Sequence, residues 1–203
     1  PGGDPSPSGK GAHPMKYQVV IAGIGGQGTL FATKIFTEIA RLRGFPVLGS
    51  ENHGMSQRGG SVVSHLKLGE FHSPMIREGD ADLLLGLDAL EATRNLSFLR
   101  AANGGQGALC VVNAPARAGF PDPGVAAILD GMGVQVCPCP ADAIAMELGN
   151  PLTANLVLLG LATRQDRFPF TYEEVRETLE GLSAPSFRAA NLAALERGSG
   201  FSA

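Results

Sequence analysis

The feature that most constrains the fold is a glycine-rich turn directly behind a short apolar run. Residues 17–22 read YQVVIA and residues 23–28 read GIGGQG. A continuous apolar run that ends at glycine is typical of a strand buried on both faces of a sheet. One face of a helix is then marked by Phe31, Ile35, Ile39 and Leu42. Strand, glycine turn and helix are the opening unit of an open α/β sheet.

The rest of the chain continues this alternation. Further strands are predicted at 45–50, 61–68, 82–87, 108–113 and 134–138, and helices at 88–99, 140–149, 150–164, 171–182 and 186–197. The helix at 150–164 is apolar nearly all round, so it must be buried in the domain or against another subunit. In the strand at 61–68, His65 and Lys67 are expected on a wetter face. We predict an α/β fold: a three-layer α/β/α sandwich with a mostly parallel, Rossmann-like sheet.

Length and composition favour one folded domain. The chain has 203 residues, 44% of them hydrophobic, which suffices for one sizeable core. Residues 1–14 are rich in Pro, Gly and Ser and are predicted to form a flexible leader before a single domain at 15–203. The net charge is −3 and no basic block is present, which argues against nucleic-acid binding. The longest apolar stretches, near 83–87 and 156–162, are too short to span a bilayer.

The three cysteines do not indicate a disulfide scaffold or a metal site. They are Cys110, Cys137 and Cys139, an odd number in a chain of this length. Three thiols cannot complete a four-cysteine iron–sulfur cluster, and the C-P-C pair is one residue shorter than the usual C-x-x-C. We interpret them as buried or incidental thiols of a cytoplasmic protein, and we predict no metal site in this chain.

The glycine turn has the chemistry of a phosphate site. Gly23, Gly25 and Gly28 match G-x-G-x-x-G, and a helix N-terminus offers unpaired N–H groups with a partial positive charge. A dinucleotide site also requires an acidic residue roughly 20 positions further on, which Glu51 can supply. A self-contained NAD- or FAD-binding oxidoreductase domain is therefore one interpretation. The polar Gln27 in the first helical turn argues against it.

A second unusual stretch, SENHGMSQRGGSV, occupies residues 50–62. In an open sheet, the loop that follows the second strand lies beside the glycine turn, at the edge where such folds bind ligands. Its glycines indicate a fixed backbone path. Arg58 can bind a phosphate or carboxylate with two parallel hydrogen bonds, and His53 can donate or accept a proton near neutral pH. A solvated polar loop is one alternative, and an Arg58 that pairs with Glu51 or Glu78 to hold its own loop is another.

GIGGQG followed at this distance by SENHGMSQRGGSVVSHLKLG resembles the gamma-type domain of 2-oxoacid:ferredoxin oxidoreductases. The resemblance is strongest to the smaller subunit of the indolepyruvate type. It covers nearly all of the chain after residue 14 and continues through ADLLLGLDALEATR at 81–94, GNPLTANLVLLGLA at 149–162 and NLAALERG at 191–198.

The resemblance implies an incomplete enzyme. Enzymes of this family oxidatively decarboxylate a 2-oxoacid on thiamine diphosphate, pass electrons through iron–sulfur clusters to ferredoxin, and release an acyl-CoA. The resemblance implies that thiamine diphosphate, Mg²⁺ and the clusters lie in a larger partner subunit. This chain agrees with that division, since it has no G-D-G motif with a downstream Asn pair and no C-x-x-C-x-x-C run. We expect no catalytic residue here, an aryl pyruvate as the first choice of substrate, and coenzyme A as a possible ligand.

The same resemblance suggests which residues form the site. Backbone N–H groups of the turn are offered to a phosphate or to a partner's backbone, and two side chains lie at the mouth of the same groove. The candidate residues are Gly25, Gly26, Gln27 and Gly28, with His53 and Arg58.

A third interpretation is a pure interaction module. Its glycine loops would make only close subunit contacts, and the apolar helix at 152–162 would supply the contact surface. Under either subunit interpretation, the chain in isolation is expected to form a homodimer, because an uncovered apolar surface favours burial.

Overall fold

The computed structural model describes residues 15–53, 59–115 and 119–202, so the leader predicted at 1–14 lies outside the described residues. Six strands form one sheet in the order β2-β3-β1-β4-β5-β6. They are β1 Tyr17–Ile24, β2 Val47–His53, β3 Ser61–Leu68, β4 Leu83–Gly86, β5 Leu109–Asn113 and β6 Gln135–Cys139. Only β3 runs against the others, because it pairs antiparallel with both β1 and β2 while β1, β4, β5 and β6 pair in parallel. The predicted α/β fold with a mostly parallel sheet is confirmed.

Helices cover both faces of the sheet. They are α1 Thr29–Leu42, α2 Ala89–Arg94, α3 Pro123–Gly131, α4 Ala141–Glu147, α5 Ala154–Ala162, α6 Tyr172–Leu182 and α7 Pro185–Ser199. Alternate residues of each strand point to opposite faces. On one face, Ile21 and its neighbours pack against α1 and α4 to α7, and on the other Val20 and its neighbours pack against α2 and α3. The result is the predicted three-layer sandwich.

Helix α5 is buried within its own domain. Every residue from Asn155 to Ala162 is buried. Helix α7 crosses it so closely that a Cβ added at Gly160 would overlap the carbonyl oxygen of Leu195. A Cβ at Gly198 would likewise overlap the carbonyl oxygen of Val157. The apolar pattern at 150–164 therefore reflects packing inside the chain, and α5 is not the subunit contact considered above.

The wetter face predicted for β3 is wrong. His65 and Lys67 are both buried, because the segment that follows β3 covers them. The N–H of Ile76 donates to Nδ1 of His65 at 3.4 Å, and the imidazole packs edge-on against Phe98 at 4.9 Å. The Lys67 ammonium lies 5.1 Å from the centre of the Phe71 ring. Burial, and then the nearby Lys67 charge, lower the pKa of His65, so the ring is neutral at physiological pH.

An ion pair joins α6 to the end of α1. Arg43 donates from Nε and Nη2 to the two carboxylate oxygens of Glu174, each at 2.6 Å. Glu174 also closes a capping box with Thr171. Burial alone would raise the pKa of Glu174, but the hydrogen bonds from Arg43 and Thr171 together outweigh it and lower that pKa below its ordinary 4.5. A carboxyl whose pKa is lowered by folding stabilises the fold above its unfolded pKa, and that stabilisation is lost as the pH falls.

We therefore expect Glu174→Gln to lower the free energy of unfolding by about 1 kcal/mol at pH 7 and by less near pH 3, because this stabilisation falls once the pH is below the unfolded pKa. Urea unfolding at the two pH values measures the difference. Glu173→Gln is the matched control, because Glu173 is an exposed first-turn residue that forms no ion pair within the described part of the chain. An equal loss at both pH values would show that the carboxylate charge contributes nothing.

Candidate functional site

The glycine turn follows β1, the strand at which the strand order of the sheet reverses: β2 and β3 lie on one side of β1, and β4, β5 and β6 lie on the other. The connection from β1 leads through α1 toward β2 on one side, and the connection from β4 leads through α2 to β5 on the other. Because β1 and β4 are adjacent and parallel, their carboxyl ends meet at one edge. Open α/β sheets bind ligands in the crevice at such a switch point. The turn at 23–28 follows β1 and Asp88 follows β4, so both lie at this edge of the sheet.

Internal hydrogen bonds fix the path of the turn. The N–H of Gly25 donates to the carbonyl of Gly60 at 2.9 Å, and the N–H of Gln27 donates to the carbonyl of Ile24 at 3.1 Å. The Gln27 side chain folds back, and its Oε1 accepts from the N–H of Ile24 at 2.7 Å. Gly26 and Gly28 have φ angles of +102° and +82°, which favour glycine. Of the four N–H groups that the sequence points to, those of Gly26 and Gly28 donate to no acceptor among the described residues.

The start of α1 adds further unsatisfied donors. Gly28 is the N-cap and has no side chain to accept from the first turn, and the first intrahelical bond runs from the N–H of Ala32 to the Gly28 carbonyl. The N–H groups of Thr29, Leu30 and Phe31 therefore lie at the positive end of the helix. The Thr29 hydroxyl is also buried, with no hydrogen-bond partner in the described part of the chain. An anion fits this end of α1.

A groove of about 350 Å³ opens beside the turn. It runs between the start of α1, the 3₁₀ turn Pro151–Thr153 that precedes α5, and the junction of α6 and α7. Its apolar walls come from Phe31, Leu152, Leu156 and Phe187, and its amides from Asn150, Asn155 and Asn191. No charged side chain of the described residues lines it. The groove suits an uncharged, elongated group joined to an anion at the turn.

A larger cavity of about 470 Å³ lies between α1 and α6, where Arg43 and Glu174 line it. Both of those side chains are already paired with each other. This cavity contains none of the glycine-turn residues. We therefore assign the site to the smaller groove on chemical grounds.

The order of the strands places Glu51 too far from β1 to serve as the acidic residue of a dinucleotide site. β3 lies between β1 and β2, so β2 is the edge strand. Glu51, within β2, pairs with Ser64 of β3, two strands away from Ile21 of β1. In a dinucleotide fold the strand carrying this acid is the direct parallel neighbour of β1. The role suggested for Glu51 is therefore wrong, and the NAD or FAD interpretation loses its ribose contact.

The loop that was expected at 51–60 begins later. Glu51, Asn52 and His53 belong to β2, and the His53 backbone lies opposite Val62. Arg58 lies outside the described residues, so its place at the mouth of the groove stays a prediction. Where the chain is described again, Gly60 contacts the glycine turn through Gly25. The two sequence motifs therefore meet, as expected, although an antiparallel hairpin brings them together.

A buried carboxylate anchors the start of β3. Glu91 of α2 is buried; Ser61 Oγ donates to one of its oxygens at 2.6 Å, and Arg94 donates to the other. Asp88 caps α2 by accepting from the N–H groups of Leu90 and Glu91. Glu91 occupies the third position of α2, from which its side chain could return to the N–H of Asp88, but it is bonded to Ser61 and Arg94 instead. Neither sequence motif indicated that Ser61 and Glu91 join the start of β3 to α2.

The cysteines and acidic groups form no metal centre in the described part of the chain. Cys110, Cys137 and Cys139 are free thiols. Burial raises the pKa of all three, that of Cys139 to about 12, so they are protonated at neutral pH. No group of three or more His, Cys, Asp or Glu side chains among the described residues can hold a metal ion. None of the helices described here has the length and apolar character needed to cross a membrane.

Comparison with known proteins identifies the family. The model of a family described as pyruvate ferredoxin/flavodoxin oxidoreductase matches residues 18–201. The chain belongs to this family. The resemblance found in the sequence motifs is thereby confirmed.

Curated relatives within the family carry one name, indolepyruvate oxidoreductase subunit IorB. The protein of Thermococcus kodakarensis is 33% identical over 90% of this chain and 94% of its own length. The protein of Archaeoglobus fulgidus is 31% identical over 91% of this chain and 94% of its own length. Both alignments cover most of this chain and nearly the whole length of each relative.

Solved structures of the family share the fold. A keto/oxoacid ferredoxin oxidoreductase gamma subunit from Geobacter sulfurreducens matches with a TM-score of 0.65 and 23% identity, over 90% of this chain and 95% of that chain. A 2-oxoglutarate:ferredoxin oxidoreductase from Magnetococcus marinus, with 2-oxoglutarate, coenzyme A and succinyl-CoA bound, matches with a TM-score of 0.67 and 19% identity. The match spans 91% of this chain but 30% of that longer one. The same fold therefore occurs both as a separate chain and as part of a larger one.

Proposed function

We propose that this chain is the small subunit of a cytoplasmic 2-oxoacid:ferredoxin oxidoreductase that acts on indolepyruvate or a related aryl pyruvate. One observation carries the proposal. Curated relatives at 31–33% identity, aligned over 84–93% of this chain, are all named indolepyruvate oxidoreductase subunits. Solved pyruvate and 2-oxoglutarate enzymes share the fold at 19% identity, which favours the indolepyruvate type among them.

The chain does not complete the reaction alone. In the full reaction, the 2-oxoacid loses its carboxyl group as carbon dioxide, its acyl group is joined to the sulfur of coenzyme A, and two electrons reach ferredoxin. When bound, thiamine diphosphate with Mg²⁺ would supply the chemistry of decarboxylation, and iron–sulfur clusters would supply the path for the electrons. We assign these groups to a larger partner subunit. This chain has three cysteines, one fewer than a four-cysteine cluster requires, which supports that assignment.

The part assigned to this chain is to hold coenzyme A. The N–H groups of Gly26 and Gly28, with the start of α1, bind a phosphate, and the uncharged groove beside them takes the pantetheine arm. The amide side chains of Asn150 and Asn191 match the amides of that arm. His53 and Arg58 stay candidates for the mouth of the groove, because their side chains lie outside the described part of the chain. A coenzyme bound in this way covers the turn and excludes water from it.

An anaerobic pull-down of the tagged chain from its native cell tests the assignment. We expect a larger chain, thiamine diphosphate and iron in the eluate, and oxidation of indolepyruvate that depends on coenzyme A and ferredoxin. The isolated chain is the matched control and should show no turnover. Recovery of the chain alone, with neither thiamine diphosphate nor iron, would contradict the proposal. Turnover by the isolated chain would contradict the division between subunits.

A further inference from the structure

We propose that Asn155 is a positioning residue that locks the glycine turn in the form that binds the anion. The inference rests on the proposed function, because the ligand at the turn is taken to be the phosphate of coenzyme A. Asn155 was not a candidate on sequence grounds, and its contact with the turn spans 127 residues of chain. It lies at the floor of the groove, where α5 meets the start of α1.

Both ends of the Asn155 amide are occupied. Its Nδ2 donates to the carbonyl of Gly28 at 3.2 Å, and its Oδ1 accepts from the N–H of Leu156 at 2.9 Å. The side chain is buried, with 3% of the residue exposed. The opposite amide orientation would place donor against donor and acceptor against acceptor, so these two partners determine it. The amide therefore ties the first turn of α5 to the N-cap of α1.

The same contact explains why residue 28 is glycine. A Cβ at Gly28 would overlap Nδ2 of Asn155, in addition to the strain that its φ of +82° imposes on any other residue. Gly26 has a φ of +102° but no atom within 4 Å of a Cβ placed there. The two glycines therefore differ in one respect: Gly28 is required by both its backbone and its neighbour, and Gly26 by its backbone alone.

The lock matters for binding because Gly28 determines the direction of the donors. Its carbonyl accepts from both Asn155 and the N–H of Ala32, so the plane of the Gly28–Thr29 peptide is held from two sides. The N–H of Thr29 belongs to that peptide, and those of Gly28 and Leu30 belong to the adjoining ones. Without Asn155, the Gly28–Thr29 peptide is held only by the hydrogen bond from the N–H of Ala32. The N–H groups of Gly28, Thr29 and Leu30 then no longer point in one fixed direction. Asn155 then acts on the ligand through the turn, without touching the reacting atoms.

A double-mutant cycle tests the lock in the isolated chain. Thermal unfolding is measured for Asn155→Ala, Gly28→Ala, Gly26→Ala and the two double variants. Asn155→Ala removes the overlap at residue 28, so it should cost less stability in the Gly28→Ala background than in the wild type. In the Gly26→Ala background it should cost the same as in the wild type. Equal effects in all three backgrounds would overturn the lock.

Kinetics of the complex with its partner subunit test the effect on binding. Asn155→Ala should raise the KM for coenzyme A about tenfold, because a misdirected donor loses roughly one hydrogen bond to a charged group. The KM for the oxoacid and kcat should change by less than about twofold. Asn95→Ala is the matched control. Asn95 is buried, and within the described part of the chain its side-chain amide donates to the carbonyl of Glu91, outside the groove.

The outcomes separate the inference from the proposed function. An unchanged KM for coenzyme A in Asn155→Ala, or a rise of the same size in Asn95→Ala, would overturn the positioning role while the subunit assignment stands. A wild-type complex with no turnover that depends on coenzyme A would contradict the proposed function. In that case the unfolding cycle still decides whether Asn155 locks the turn.

Discussion

Gly198→Ala is expected to lower the free energy of unfolding by about 3 kcal/mol or more, the largest effect on stability of any substitution considered. A Cβ at this position would overlap the carbonyl oxygen of Val157, which is backbone and cannot rotate away. Relief requires α7 to move off α5 and expose Ala194 and Leu195, which are fully buried. The buried α5 in turn packs on β5 in the core of the sheet.

The matched control for Gly198→Ala is Gly181→Ala in α6. No atom lies within 4 Å of a Cβ placed at Gly181. Alanine has a higher helix propensity than glycine, so this variant should gain about 0.5–1 kcal/mol. Urea unfolding followed by circular dichroism measures both variants. A Gly198→Ala protein as stable as the wild type would mean that α5 and α7 do not meet at this crossing.

Local patterns predicted most of the elements. We could predict the strand at 17–22, its glycine turn and the helix that follows, because a continuous apolar run and a helical period can both be recognised in consecutive residues. Leu42 was nevertheless placed on the buried face and is 65% exposed, because α1 ends at this residue and the core does not reach it. Helix α3 was not predicted, although Asp122 as N-cap and Pro123 at the first helical position mark its start.

Pairing between distant segments was not predictable in this way. The insertion of β3 between β1 and β2 depends on a hairpin, and nothing in the pattern of β2 shows whether it contacts β1 directly. The burial of His65 and Lys67 depends on the segment after β3, which supplies Ile76 and Phe71. Asn155 reaches Gly28 only because α5 packs beside α1. The glycine turn could therefore be located from the sequence, whereas the contacts that hold it in place are visible only in the structure.

The largest expected effect on function is that of a negative charge at the turn. Gly26→Asp and Gly26→Asn have the same shape and the same backbone strain, and Gly26 is exposed with nothing within 4 Å of a Cβ. Asp and Asn are also the residues that best tolerate positive φ. The two side chains differ in charge, so a difference in KM between the two variants shows whether an anion binds at the N-terminus of α1. We expect the KM for coenzyme A to be about 10- to 100-fold higher for Gly26→Asp than for Gly26→Asn, with a similar kcat.

Steady-state kinetics of the complex at two ionic strengths measure this effect, which should shrink as salt screens the repulsion. The matched control is the same pair of substitutions at Gly104, an exposed glycine with φ of +77° and no atom within 4 Å of a Cβ. Gly104 precedes β5, at the opposite edge of the sheet, so Asp and Asn should behave alike there. Equal KM values for Asp and Asn at residue 26 would mean that no phosphate binds this turn. The free N–H groups of Gly26 and Gly28 would then be donors to the backbone of the partner subunit, and the same two variants should differ from wild type in assembly.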